Sequence, residues 1–382
     1  MADVQVANGR ITSVSATSSV PTPNELNATG CLVLPGFVDI HVHGAVGHDV
    51  MDADPPGLLE MARFFARHGV TAFMPTTMTA SPEETLAAVV GVSRAVALQQ
   101  KLDTAAARGA RILGIHLEGP YISPQFPGAQ LADQIRPPDL HEFATLAAAG
   151  PVRMITLAPE QPGAVALIEA AHQRGITTVY GHTAATYEEC QAAIDWGVHQ
   201  ATHTYNAMTG LHHRRPGALG ATLSDGRVYA QLIADTIHVH PAAMNILARC
   251  KGAARTVLIT DAMQAAGLPD GQYALGGQDV FVQEGECRLT NGALAGSVLT
   301  MDRALGHFLA AAGQPLAELW AAASRTPAMS VGLNDEIGAL LPGYRADFVL
   351  LDEETLEVVA TIVGGEIAYH RDSARWDTAG GN

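Results

Sequence analysis

Apolar and polar positions along the chain repeat one grammar eight times: a short apolar run, a polar or glycine-rich loop, then an alanine-rich stretch with helical spacing. The runs fall at 37–42, 70–75, 111–117, 152–157, 176–180, 198–204, 228–234 and 256–259. Helical stretches follow most of them, among them 57–67, 82–98, 164–174, 187–196 and 241–250. Strands alternating with helices imply parallel strands joined by right-handed crossovers. Eight such units over residues 36–335 predict an α/β fold, a (β/α)8 TIM barrel.

Outside the repeat the pattern is purely β. Short β-prone runs at 4–6, 10–14 and 31–34 precede it, with a Ser/Thr/Pro/Asn-rich link at 15–29. Runs at 347–351, 358–363 and 366–369 follow it, the last two joined by Gly364-Gly365 as a hairpin turn. Residues 1–35 and 336–382 are therefore expected to form one small β-sandwich domain from both chain termini. A glycine-rich stretch at about 263–299, with runs at 272–275, 280–283 and 287–290, reads as an antiparallel insertion after the eighth strand. Helices at 301–312 and 315–324 come after it.

Composition narrows the function. The 382 residues carry 22 Lys+Arg against 38 Asp+Glu, a formal charge of −16. Such a chain has no cation excess with which to replace counterions, so no nucleic-acid or anionic-membrane partner is expected. Any anion must be held by a few local cations. No run reaches transmembrane length and residues 1–10 lack an apolar segment. Cys31, Cys190, Cys250 and Cys287 lie far apart, without a C-x-x-C pair, which fits a reducing, cytoplasmic setting.

Barrels build their sites at the C-terminal ends of the strands, and here six of the eight expected strands end in His, Glu or Asp. Strand one ends in His41 and His43, which alternate with Val42 and so share a face. Strand three ends in Glu118, strand five in His182, strand six in His203, strand seven in Asp235 and His238, and strand eight in Asp261. Imidazole and carboxylate without thiolate suit a divalent metal, Zn or Fe, in an open catalytic site. Glu118, His182 and His203 make one three-ligand set; His41 and His43 complete a second, with Glu118 as the bridge, giving one or two ions per subunit. Lys101 and Lys251 are the only lysines and neither lies at an expected strand end. No lysine is therefore placed to serve as a carboxylated bridge. Asp261 is the candidate general base, and His238 the candidate partner of a developing oxyanion. The loop 205–217 sets His212, His213, Arg214 and Arg215 side by side directly after His203, a local cationic spot for phosphate or carboxylate.

The motifs at 35–44 (PGFVDIHVHG), 116–120 (HLEGP), 181–183 (GHT), 202–208 (THTYNAM), 233–239 (IADTIHV), 260–262 (TDA) and 294–301 (LAGSVLTM) resemble the N-acetylglucosamine-6-phosphate deacetylases of the amidohydrolase superfamily. The resemblance runs from residue 34 to about 369. It implies hydrolysis of N-acetylglucosamine 6-phosphate to glucosamine 6-phosphate and acetate, with metal on Glu118, His182 and His203, the base at Asp261 and a carbonyl contact from His238. It implies substrate contacts at Ala129, Gln130, Asn206, Ala207 and Asp235, a phosphate contact at Arg214, and a loop flanking the sugar at Leu294, Ala295 and Gly296. It also implies a homodimer with the phosphate site near the neighbouring subunit. His41 and His43 place the chain with members that can hold two ions. Gln130 stands where the family usually has His, and Thr236 where Gly is usual. Other readings stay open: a deacetylase of another N-acetylhexosamine phosphate such as N-acetylgalactosamine 6-phosphate, a hydrolase of an N-acyl amino compound, or a non-catalytic binding barrel.

Overall fold

Eight parallel strands close into a barrel in the computed structural model of the chain, which describes residues 2–16 and 26–371. Met1, residues 17–25 of the expected link and residues 372–382 of the expected C-terminal β portion lie outside the described residues. The barrel strands are Phe37–Val42, Val70–Thr77, a third in two pieces (Arg111–Ile112 and Ile115–Glu118), Val152–Leu157, Thr177–Tyr180, Gln200–Ala201, Tyr229–Ile233 and Thr256–Ile259. Each pairs in parallel with the next. The ring closes between the last and the first: Asp261 N–H donates to His41 O (3.0 Å) and His43 N–H to Ala262 O (2.8 Å). Closure is thus made by the backbone of the very residues at the strand tips.

Two strands depart from the sequence pattern. The expected third strand breaks because three steps along the second strand, Phe73 to Thr76, match four along the third, Ile112 to His116. The extra residue is a β-bulge. It lies at Leu113-Gly114, where Gly114 has φ +149° and a Cβ would meet Pro151 O at 2.6 Å. The expected sixth strand, 198–204, shrinks to Gln200–Ala201 because His203 takes φ +23° and Tyr205 φ +85°, which leaves the β region.

Helices pack outside by one apolar face each. Pro55–Arg67 buries Leu58, Met61, Ala62 and Phe65, recurring at three and four residues; Asp54 caps it by accepting from Gly57 N–H. Pro82–Gln99 begins with Pro82 and a reciprocal Ser81/Glu84 capping box. Inside the barrel, beneath the strand tips, lies a hydrogen-bonded polar layer. His116 Nε2 meets Thr156 Oγ1 at 2.8 Å, Thr156 meets Thr202 at 2.7 Å, and Thr260 donates to Asp39 at 2.5 Å. Burial raises the Asp39 pKa to about 6 against the lowering hydrogen bonds from Thr260 and His41 N–H.

Residues from both termini share one antiparallel sheet, in the order Glu366–His370, Val358–Val363, Phe348–Asp352, Cys31–Pro35. The hairpin Ala2–Ala7/Arg10–Ala16 lays Ile11 against Phe348, Leu350 and Ile362, making the second layer. A three-stranded meander, Gly271–Leu275, Gln278–Gln283 and Glu286–Leu289, leaves the barrel after the eighth strand. It packs on Met78, Met263 and Ala295, and is tied down by Gln278 Nε2–H donating to Ala129 O (2.6 Å) and Gly276 N–H to Asp49 Oδ2 (3.0 Å).

Gly36, between the terminal sheet and the first barrel strand, has no room for a side chain: a Cβ would lie 2.1 Å from Thr71 Cγ2. Thr71 is buried and β-branched, so it cannot swing away. Gly36→Ala is expected to cost about 1–3 kcal/mol, seen as a lower melting temperature; an unchanged melting temperature would show that the junction relaxes freely.

Candidate active site

Six side chains from five barrel strands converge in one buried cluster. His41 and His43 come from the first strand, Glu118 from the third, His182, His203 and Asp261 from the tips of the fifth, sixth and eighth. Glu118 divides its two oxygens. Oε1 faces His203 Nε2 (3.1 Å), His182 Nε2 (3.3 Å) and His41 Nε2 (3.4 Å), while Oε2 faces His43 Nε2 (3.2 Å). Asp261 Oδ1 lies 3.1 Å from His43 Nε2 and 3.5 Å from His41 Nε2. His182 and His203 bring their Nε2 atoms to 3.0 Å, and His41 and His43 theirs to 3.3 Å.

The backs of the rings explain why the fronts converge. His43 Nδ1–H donates to Thr76 O (3.1 Å), His182 Nδ1–H to Phe126 O (2.9 Å) and His41 Nδ1–H to Gln231 Oε1 (3.0 Å). With Nδ1 protonated, each neutral ring presents the lone pair of Nε2 inward. Paired lone pairs at such distances repel unless a cation lies between them. Two donor groups, His41/His43/Glu118 and Glu118/His182/His203, each keep their ligand atoms within 4.8 Å. The carboxylates also call for positive charge. With no cation at hand, burial opposes protonation of His43, yet its hydrogen bonds to Asp261 and Glu118 push its pKa up to about 10, a ring proton standing in for the positive charge. Burial alone would raise Asp261 and Glu118, but the surrounding histidines hold both below the ordinary carboxylate range. A divalent cation satisfies the carboxylates together with the inward-facing Nε2 atoms, so the residues fit a metal.

The backbone is strained at the site. His182 (φ +46°), His203 (φ +23°) and Asp261 (φ +52°) all sit at positive φ, at a cost of order 1–3 kcal/mol each. Such strain persists where the surrounding structure aims a side chain, here inward. Thr236, also at φ +70°, occupies a left-handed position that glycine adopts freely, and this accounts for the usual residue there.

Above the cluster opens a cavity of about 340 Å³. His238, Ala129, Gln130, Asn206, Ala207, Leu294 and Gly296 line it together with His43, Glu118, His182, His203 and Asp261. His238 donates from Nδ1 to Asp235 Oδ2 (2.6 Å), which fixes the ring. Asp235 also accepts from the Ile237 and His238 N–H groups, so it holds the turn rather than lining the cavity. Ala295 is buried under the meander and does not line it. Arg214 is exposed, its Nη1 2.7 Å from His213 Nε2, and lies outside the lining.

Residues 32–368 match the model of the amidohydrolase family. This chain belongs to the amidohydrolase family. It is 42% identical over 339 residues to an N-acetylgalactosamine-6-phosphate deacetylase of Escherichia coli O157:H7, covering 88% of each chain. It is 38% identical to an N-acetylglucosamine-6-phosphate deacetylase of Lysinibacillus sphaericus, covering 96% of this chain and 92% of the relative. A Mycobacterium smegmatis N-acetyl-D-glucosamine-6-phosphate deacetylase, solved in complex with N-acetyl-D-glucosamine-6-phosphate, superposes with a TM-score of 0.88 at 36% identity, covering 96% and 94%.

This amidohydrolase uses further residues that the strand-tip pattern did not name. Thr76, Phe126 and Gln231 orient the histidines, two of them through main-chain carbonyls that carry no sequence signal. Met78, Ile233 and Leu275 supply apolar cavity wall. A signal existed for Gln231 alone: a polar residue in the middle of an apolar run, fully buried in the structure.

Proposed function

We propose that the chain removes the acetyl group of N-acetylglucosamine 6-phosphate, giving glucosamine 6-phosphate and acetate. The observation that carries this reading is the meeting of Asp261 with the Glu118/His182/His203 and His41/His43 groups at the floor of a cavity that His238 also lines. Relatives at 36–42% identity that are named for this class of reaction support it.

Glu118, His182 and His203 would hold one divalent ion, zinc or iron, and His41 and His43 with the other Glu118 oxygen a second. Such an ion polarises the acetyl carbonyl and lowers the pKa of water. Asp261, facing the cluster, accepts a proton from the attacking water as oxygen bonds to the carbonyl carbon. His238, with its ring fixed by Asp235, donates from both ring nitrogens only as the imidazolium, and in that form its Nε2–H meets the carbonyl oxygen as negative charge gathers there. Asp261 then returns the proton to nitrogen as the C–N bond breaks, so amide plus water becomes amine plus acetate. Asn206, Ala207 and the Leu294–Gly296 loop flank the sugar.

For the phosphate we propose Arg214, on the exposed His212–Arg215 cluster, working in a homodimer where that loop meets the neighbouring subunit. The wide spacing of Cys31, Cys190, Cys250 and Cys287 along the sequence, without a C-x-x-C pair, supports a reducing, cytoplasmic setting. No helix among the described residues is long and apolar enough to cross a membrane. Arg214→Ala is expected to raise KM for the phosphorylated sugar about ten- to 150-fold, the loss of one charge-assisted contact of about 1.5–3 kcal/mol. KM for the unphosphorylated sugar should stay near wild type. If the wild type uses both sugars equally well, the anion role of this loop is wrong.

A second reading has its own support, the 42% identity to an N-acetylgalactosamine-6-phosphate deacetylase. Comparing kcat/KM for the two phosphosugar epimers separates the readings. A preference for the galactosamine epimer would overturn the first.

A further inference from the structure

Gln130 was expected to contact substrate, yet its side chain is already engaged at both ends. Its Oε1 accepts from Thr79 N–H (2.6 Å) and its Nε2–H donates to Glu118 Oε2 (2.8 Å). The residue is 5% exposed. The Thr79 N–H can only donate, so it fixes which end of the amide faces Glu118 and rules out the flipped orientation. Thr79 also ties itself to the same residue, its Oγ1 lying 3.4 Å from Glu118 O. The bond from Gln130 lands on one particular oxygen. Oε2 is the one that faces His43, whereas Oε1 faces His182, His203 and, at 3.4 Å, His41.

A carboxylate on a flexible side chain can rotate about its last bond and present both oxygens to one ion. Glu118 can bridge two donor groups only if that rotation is stopped. We propose that Gln130 is a positioning residue for the metal centre: by holding Oε2 against His43, it keeps Glu118 split between the two groups and sets the affinity of the second ion. The inference rests on the metal-centre reading above, and concerns how this chain's own residues shape it.

The test is a chelator titration of the metal-loaded full-length chain, with bound zinc counted by mass spectrometry, for wild type, Gln130→Met and Gln130→Asn. Methionine keeps the length without a donor; asparagine stays polar but is too short to reach Thr79 and Glu118 together. Loss of a partner that orients a ligand typically weakens metal binding about ten- to a hundredfold. That loss is expected for the more weakly held ion in both variants, with the tighter ion released at wild-type chelator concentrations. kcat should fall with KM near wild type; the melting temperature of the metal-stripped chain should also fall, because the buried Thr79 N–H loses its acceptor, so the unequal release of the two ions is the deciding readout. Asparagine gives the same reading if the methionine variant is insoluble. Wild-type release profiles in the variants overturn the proposal, as does equal weakening of both ions, a rise in KM alone, or a wild type that holds a single ion. A wild type that holds no ion at all instead sinks the metal-centre reading itself.

Discussion

Asp261→Asn is expected to keep the fold and the bound metal while lowering kcat by about 10²–10⁴, the usual contribution of a positioned general base. Asparagine has the same shape, and the backbone bonds of Asp261, its N–H to His41 O and its O from Ser297 N–H, are untouched by the change. The side-chain oxygen can still face His43. What is lost is the capacity to take a proton and return it. The histidines that hold the Asp261 pKa below the ordinary carboxylate range keep it ionised at neutral pH, ready to accept. Steady-state kinetics alongside metal content and a melting curve check this. An Asn variant with near-native kcat would remove the base assignment.

Glu118→Gln should do more damage, because one carboxylate serves every histidine of the cluster. All four Nε2 atoms lie within 3.1–3.4 Å of its oxygens. The amide removes the charge that a cation would answer, and its N–H₂ would donate to histidine lone pairs that a metal would otherwise use. Metal loading is expected to fall below one ion per chain. Activity is expected to drop at least about 10³-fold, since a bound ion contributes several kcal/mol to such a reaction and each 1.36 kcal/mol is tenfold. Metal content by mass spectrometry and kcat measured with added zinc are the checks. A Gln variant with its full metal complement and wild-type activity would show that Glu118 is not the shared ligand.

Read along the chain, most of what positions the site was visible before the structure. The strands were legible because their apolar runs are local and bounded by glycine and polar loops, as at 37–42 and 152–157. The donors were legible because a barrel puts strand ends on one face, so residues as distant in sequence as His41 and Asp261 are brought together by the fold class alone. Arg214 shows the limit. Its sequence neighbourhood marks it as cationic and close to His203, but where its guanidinium points depends on loop packing that no periodicity encodes.

The chain's own pattern determined the alternation of strand and helix, the sharing of β structure between the two termini, and which residue types crown each strand. These are consequences of short-range spacing and of composition. Tertiary structure alone decided the rest. The bulge lies at Gly114, where Pro151 O leaves no room for a Cβ, the shortened sixth strand follows from the positive φ at His203, and the pairing of Asp39 with Thr260 spans 221 residues. The same holds for Gln130, whose two partners lie 51 and 12 residues away. A buried amide forms whichever bonds its surroundings leave unmet. Those surroundings exist only once the strands have closed into a ring.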